Sequence, residues 1–122
     1  MLLHKDGASA IEFYKKAFGA IELERWSNDD GTVHVAEMSI DGAVFHLREE
    51  STESGQFSPA TMGGITAIIE LFVADPQAMV ARAVAAGAHT LNSVRDYETG
   101  YRQGTIVDPY GHRWSVLRRI SP

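Results

Sequence analysis

The sequence has 122 residues, a formal net charge of −5, no cysteine, and 44% hydrophobic against 22% charged residues. This length suits one domain around one hydrophobic core, and the absence of cysteine excludes a disulfide framework and thiolate metal sites. The negative charge argues against a nucleic-acid partner, because no basic patch is available to displace counterions from phosphates. No apolar run reaches the roughly 20 residues that span a bilayer. The charged start of the chain is unlike a secretory signal, so we expect a cytoplasmic protein.

The first half of the chain predicts the element order β-α-β-β-β. A short extended segment precedes Asp6, which can cap a helix that runs to Phe18 and ends at Gly19. Apolar residues form one stripe along this helix, namely Ile11, Tyr14 and Phe18, and charged residues on its other side face water. Three strands are predicted next, at residues 21–26, 33–38 and 43–48.

The same order starts again in the second half. Residues 51–64 are rich in Ser, Thr, Glu and Gly and predict a linker or mobile loop. The β-branched run 65–73 predicts a strand, and Asp75-Pro76 predicts a helix start, because Asp is favoured at the N-cap and Pro at the first helical position. The remaining strands are predicted at residues 89–94, 101–107 and 112–117.

Glycines recur in the two halves at an offset of 68 to 69 residues. They end a helix, close a loop and close a hairpin in the same order, as the pairs Gly19 and Gly87, Gly31 and Gly100, and Gly42 and Gly111. A tandem repeat of this length indicates two similar modules, each with a sheet face that it cannot bury alone. The sequence therefore predicts an α+β domain over residues 1–122, with module one at 1–50 and module two at 65–120.

The last predicted strand pair carries the turn Asp108-Pro109-Tyr110-Gly111 within residues 100–116. Together with the helices at 10–20 and 80–87, this segment resembles the vicinal oxygen chelate superfamily, and in particular its PhnB-like branch. That superfamily includes glyoxalase I, bleomycin-resistance proteins, fosfomycin-resistance enzymes and extradiol dioxygenases. The resemblance implies paired βαβββ modules that form a curved mixed sheet around a cleft, commonly completed by dimerisation.

The same resemblance bears on a metal site. In the metal-dependent members, His and carboxylate ligands come from the first and last strands of the modules. The resemblance places such ligands before Met1, at Ile68 and at Ser115, and neither Ile nor Ser suits a divalent metal. The internal offset aligns His46 with Ser115, and Glu70 lies two residues after Ile68 on the same side of its strand. We therefore expect no cofactor, with a divalent metal on His46 and Glu70 as the alternative.

The predicted ligand-binding residues are those expected to line the cleft. Trp26 can stack on a ligand, although a half-buried rim position suits it equally. Phe72 shares the strand parity of Glu70, and Arg102 could pair with an anionic or carbonyl-bearing ligand, although a surface ion pair is the more frequent fate of an Arg. Trp114 is expected to pack under the helices. No catalytic residue is assigned, and the ligand-binding set is Trp26, His46, Glu70, Phe72, Tyr101, Arg102 and Ser115.

Two functions from different classes remain open. The favoured one is binding of a small organic molecule, an antibiotic or a metabolite, without a complete metal site, and the negative charge favours cationic ligands. The other is a divalent-metal-dependent lyase, isomerase or transferase of the glyoxalase type, with His46 as a ligand and Glu70 as a ligand or base. A third possibility is a homologue that has lost both activities and acts only through contacts with other proteins. Half-open sheets with free edges predict a homodimer.

Overall fold

The computed structural model describes all residues 1–122 and has the predicted α+β class, with two four-stranded sheets. The chain divides into two compact units, Met1–Gly64 and Ile65–Pro122. Each unit contains one β-α-β-β-β succession, as the repeat predicts. None of the helices has the length and hydropathy needed to span a membrane.

The first unit is built on a mixed sheet. Its strands have the order β1-β4-β3-β2, in which β1 runs parallel to β4 and the other pairs are antiparallel. The elements are β1 (Leu2–His4), α1 (Gly7–Phe18), β2 (Ile21–Ser27), β3 (Val33–Ile40) and β4 (Ala43–Glu49).

Helix α1 begins and ends where the sequence predicts. Oδ1 of Asp6 accepts a hydrogen bond from the backbone N–H of Ser9 at 3.2 Å, which satisfies one of the free amides of the first turn. The helix ends at Gly19, which has a left-handed φ of 67°. Its apolar stripe packs on β2, β3 and β4.

Aromatic side chains form the centre of this first core. The ring of Tyr14 is stacked on that of Phe18 and meets the ring of Phe45 edge-on. The Tyr14 hydroxyl lies 3.2 Å from Nε2 of His4, and both side chains are fully buried. The short first strand is thereby held in the core of the unit.

The segment predicted as a linker or mobile loop contains two short helical turns. A 3₁₀ turn covers Thr52–Ser54 and helix α2 covers Pro59–Met62. The Glu50 carboxylate accepts hydrogen bonds from the Ser58 backbone N–H and hydroxyl and from the Thr61 hydroxyl. These bonds, that of the Ser58 hydroxyl first, hold the pKa of Glu50 below its ordinary value. They also tie α2 to the end of β4.

The second unit repeats the architecture. Its sheet has the order β5-β8-β7-β6, with β5 parallel to β8 and the other pairs antiparallel. The elements are β5 (Ile68–Phe72), α3 (Pro76–Ala86), β6 (His89–Asp96), β7 (Tyr101–Val107) and β8 (Arg113–Arg119). The first of these strands is shorter than the predicted run 65–73.

Helix α3 packs on β6, β7 and β8. Oδ1 of Asp75 accepts from the backbone N–H of Ala78 at 3.0 Å, and Pro76 takes the first helical position. Trp114 is buried, and its Nε1–H donates to Oδ2 of Asp108 at 3.0 Å. This tryptophan is therefore a core residue of the second unit.

The loops of the two units repeat in their hydrogen bonds. The five-residue loops Asn28–Thr32 and Tyr97–Tyr101 have the same two backbone hydrogen bonds. In each loop the N–H of the first residue donates to the carbonyl of the fifth residue, and the N–H of the fourth residue donates to the carbonyl of the first. The fourth residues, Gly31 and Gly100, have φ of 87° and 89°, which a residue with a Cβ rarely adopts. The β3–β4 and β7–β8 hairpins differ, because residues 41–42 make a two-residue turn and residues 108–112 a longer loop.

Candidate functional site

Each sheet has one face that its helix covers and one that it does not. Along β3 and β4 the buried residues Ala36, Met38 and Leu47 mark the helix-covered side. Because side chains alternate between the faces of a strand, the register assigns the opposite side. We call this helix-free surface of the first unit the Trp26 face, and its residues are Ile21, Glu24, Trp26, Val35, Glu37, Ser39, Val44, His46 and Arg48.

The second unit has the corresponding surface, which we call the Glu70 face. The buried residues Ile106, Trp114 and Val116 mark the side that α3 covers. The residues of the opposite side are Ile68, Glu70, Phe72, Asn92, Arg95, Tyr101, Gln103, Thr105, Val107, Arg113, Ser115, Leu117 and Arg119.

The Trp26 face combines an exposed indole with a His–Glu pair. Trp26 lies on the edge strand β2 opposite Val35, and it is 48% exposed. On the neighbouring strands, Nε2 of His46 is 3.1 Å from Oε2 of Glu37, where the carboxylate accepts. Two residues predicted from the sequence, Trp26 and His46, therefore share a surface with an acid that the sequence analysis missed.

The centre of the Glu70 face is polar. Glu70, Ser115, Thr105 and Asn92 form one row across the four strands of the sheet. Ser115 is only 4% exposed, and its buried Oγ has no hydrogen-bond partner. A buried hydroxyl without a partner costs stability unless a bound molecule satisfies it.

Aromatic rings border that polar row. Phe72 is 62% exposed, and its ring meets the ring of Tyr101 edge-on at a centroid distance of 6.4 Å. Nη1 of Arg119 donates to the Tyr101 hydroxyl at 2.7 Å, and the guanidinium also lies over the Tyr101 ring. The structure thus brings together four of the predicted residues of this unit, namely Glu70, Phe72, Tyr101 and Ser115.

Arg102 lies apart from these four residues. It follows Tyr101 directly on β7, so its side chain points to the opposite side of the sheet. Nε of Arg102 is 2.8 Å from Oδ1 of Asp96, and this bond holds the pKa of Asp96 below its ordinary value. The guanidinium is thus engaged in the surface ion pair that was the alternative to ligand binding.

Two residues of these faces could have been found from the sequence. The two-residue turn between Ile40 and Ala43 sets a register in which Glu37 opposes His46. The longer hairpin between β7 and β8 places Arg119 opposite Tyr101 in the same way. Hairpin register combined with strand alternation was the missing signal.

The side chains do not form a donor set for a divalent metal. No group of three or more His, Asp or Glu side chains lies close enough together to hold a metal ion. His46 has Glu37 as its neighbouring donor, whereas the Ser115 hydroxyl is a weak ligand beside a carboxylate. The chain therefore supplies at most two neighbouring donors, His46 and Glu37, which is fewer than a complete metal site needs.

Comparison with known proteins agrees with this architecture. The family model described as "Glyoxalase/Bleomycin resistance protein/Dioxygenase superfamily" matches residues 1–116. An uncharacterized protein of Mycobacterium bovis is 37% identical over 118 residues, which cover 94% of this chain and 78% of that protein.

Two crystal structures share the fold over nearly the whole chain. TioX from Micromonospora sp. ML1 superimposes with a TM-score of 0.76 at 28% identity, covering 97% of this chain and 94% of that one. The Arabidopsis thaliana gene product At5g48480 does so with a TM-score of 0.73 at 34% identity, covering 95% and 93%.

Proposed function

The chain belongs to the Glyoxalase/Bleomycin resistance protein/Dioxygenase superfamily, and from that premise we propose that it binds a small planar or amphipathic organic molecule, an antibiotic or a metabolite. The helix-free faces of its sheets supply the binding surface, and no complete metal site takes part. The ligand contacts are proposed at Trp26 and His46 on the Trp26 face and at Glu70, Phe72, Tyr101 and Ser115 on the Glu70 face.

One observation carries this proposal, namely the exposure of large apolar side chains on both helix-free faces. Ile21, Trp26, Val44, Ile68 and Phe72 are each 48–62% exposed. Exposed apolar groups next to polar groups are typical of surfaces that bind a partner or a ligand. The buried, unpartnered Ser115 hydroxyl supports the same reading, because a ligand can satisfy it.

Binding of an uncharged aromatic probe tests the proposal. We expect N-phenyl-1-naphthylamine to bind with saturable fluorescence enhancement, and Trp26→Ala to weaken that binding roughly tenfold through loss of stacking and apolar contact. Met62→Ala is the matched control, because Met62 is similarly exposed but lies on α2. Equal affinities of the wild type and Trp26→Ala, or equal losses in both variants, would contradict the proposal.

A metal-dependent lyase, isomerase or transferase is the second candidate function. The observation in its favour is the His46–Glu37 pair, an imidazole nitrogen and a carboxylate oxygen 3.1 Å apart on an accessible face. Elemental analysis of protein equilibrated with Zn²⁺ or Ni²⁺ separates the two functions. A stoichiometric metal that is lost in His46→Ala would overturn binding without a metal site and would favour this second function.

Three finer statements belong to the same proposal. Placement in the PhnB-like branch rests on the motif at residues 101–114. The exposed edge strands β2 and β6 support the proposal of a homodimer, whose apparent mass should depend on protein concentration. A cytoplasmic location completes the proposal.

A further inference from the structure

Arg48 occupies a position that neither the repeat nor the family resemblance singles out. It lies on β4 two residues after His46 and opposite Leu3 in the parallel β1–β4 pair. Strand alternation places its side chain on the Trp26 face. Extending the β3–β4 register by one residue sets it beside Val35, which itself opposes Trp26.

The guanidinium of Arg48 has no ion pair and no side-chain hydrogen bond in the chain. Its Nε is buried without a partner, while its two terminal nitrogens remain unburied and unbonded. A buried guanidinium N–H without an acceptor is costly, because charged donors lose more than neutral ones when water is removed. That N–H is closed off from solvent, so the two exposed terminal nitrogens are the donors that an acceptor from outside the chain can reach.

The two acids that follow Arg48 in the chain, and Glu37 on the same face, have other partners. Glu37, on the same face, contacts His46. Glu49 accepts from the backbone N–H of Gly7, and Glu50 accepts from Ser58 and Thr61. Most other arginines do have partners, among them Arg25 with Glu22 and Arg102 with Asp96. The lack of a partner at Arg48 is thus not a general property of the arginines in this chain.

We propose that Arg48 is an anion-binding residue and that the ligand of the Trp26 face is a planar aromatic molecule with a carboxylate, sulfonate or similar anionic group. The aromatic part packs on Trp26 and the anion accepts from the terminal nitrogens of Arg48. Trp26 and Arg48 lie on β2 and β4, two strand spacings apart, so the two ends of the ligand are within about 10 Å of each other. This inference rests on the proposed function and adds the chemical class of the ligand.

Direct contact with the Arg48 guanidinium, rather than the net charge of the chain, decides the proposed preference for an anion. A formal charge of −5 attracts cations at long range, but that attraction is screened over about 8 Å at physiological ionic strength. At contact distance the unpaired guanidinium dominates, since a fork of N–H donors matches a planar anion in two hydrogen bonds.

A pair of probes that differ by one anionic group isolates the contribution of Arg48. The probes are 8-anilinonaphthalene-1-sulfonate and N-phenyl-1-naphthylamine, which lacks the sulfonate. We expect Arg48→Gln to raise the Kd of the sulfonate probe about tenfold, equivalent to about 1.4 kcal/mol, and to change the Kd of the uncharged probe less than about twofold. Arg48→Lys should give an intermediate loss, because it keeps the charge but not the fork.

Two controls complete the experiment. Lys16→Gln removes one positive charge from the exposed surface of α1 and should leave the Kd values of both probes unchanged. Thermal melts show whether each variant is folded. If Arg48→Gln is unfolded, Arg48→Lys replaces it as the test variant. An unchanged sulfonate constant in both Arg48 variants, or an equal loss for both probes, would overturn the inference.

The same measurements distinguish a failure of the proposed function from a failure of the Arg48 inference alone. If neither probe binds the wild type, the proposed function and this inference fall together. If Trp26→Ala weakens binding of the uncharged probe but the Arg48 variants leave the Kd of the sulfonate probe unchanged, only this inference is overturned.

Discussion

Individual polar side chains in this protein differ sharply in how well the chain satisfies them. Asp108 is almost fully buried, and it accepts from the backbone N–H groups of Tyr110 and His112 and from the indole of Trp114. Ser115, one residue beyond Trp114, has a buried hydroxyl with no partner. The chain thus satisfies the Asp108 carboxylate fully and leaves the neighbouring Ser115 hydroxyl without a hydrogen bond.

Asp108→Asn should destabilise the second unit. The amide group has one acceptor oxygen instead of two, so at least one of the three donors loses its acceptor. An unsatisfied buried donor costs about 1–3 kcal/mol, and we expect a loss of that size in the free energy of unfolding from denaturant titration. Asp41→Asn at the exposed β3–β4 turn is the matched control and should be nearly neutral, because Asn tolerates the positive φ of 49° there. Equal stability of the two variants would contradict the role given to Asp108.

At the scale of elements, a charged cluster joins α1 to the edge strand β2. Nζ of Lys15 lies 3.2 Å from Oε1 of Glu22, and Glu22 also pairs with Arg25 on its own strand. The hydrogen bond from Arg25, followed by that from Lys15, holds the pKa of Glu22 below its ordinary value although partial burial opposes this. The cluster therefore stabilises the first unit only while Glu22 is ionised.

Glu22→Gln should lower the free energy of unfolding at pH 7 by about 0.5–1 kcal/mol, the size expected for a partly exposed ion pair. Because the folded pKa lies below the unfolded value of 4.5, this contribution is complete above pH 4.5 and is lost as pH falls through the folded pKa. The difference between wild type and variant should therefore shrink below pH 4.5. Glu24→Gln, on the other face of β2 and without an ion pair, is the control. A difference that persists undiminished at pH 2 would contradict an ionic origin.

At the scale of the whole molecule, the sequence was most informative where the structure depends on local chemistry. Asp6 and Asp75 cap their helices, and Gly19 ends the first of them, because capping requires only neighbouring residues. The tandem repeat predicted two βαβββ modules, and strand parity grouped Glu70 with Phe72. These features extend over a few residues or recur at a fixed offset.

The sequence was least informative where a residue depends on distant partners. Arg48 precedes two acids, Glu49 and Glu50, and nothing in that string indicates that both bind elsewhere. Arg102 was grouped with Tyr101, although adjacent strand residues face opposite ways. Which polar groups remain without a partner emerges only from the complete hydrogen-bond pattern of the folded chain.

The central claim is that a small aromatic molecule binds to the helix-free surface of the first sheet. A methyl NMR titration with N-phenyl-1-naphthylamine tests it most directly, because apolar residues lie on both sides of that sheet. The account predicts saturable shifts of the Ile21, Val35 and Val44 methyls, with those of Leu47 on the helix-covered side unchanged. Shifts confined to Leu47 and the α1 core, or saturable binding that leaves the Trp26 face unshifted, would contradict it.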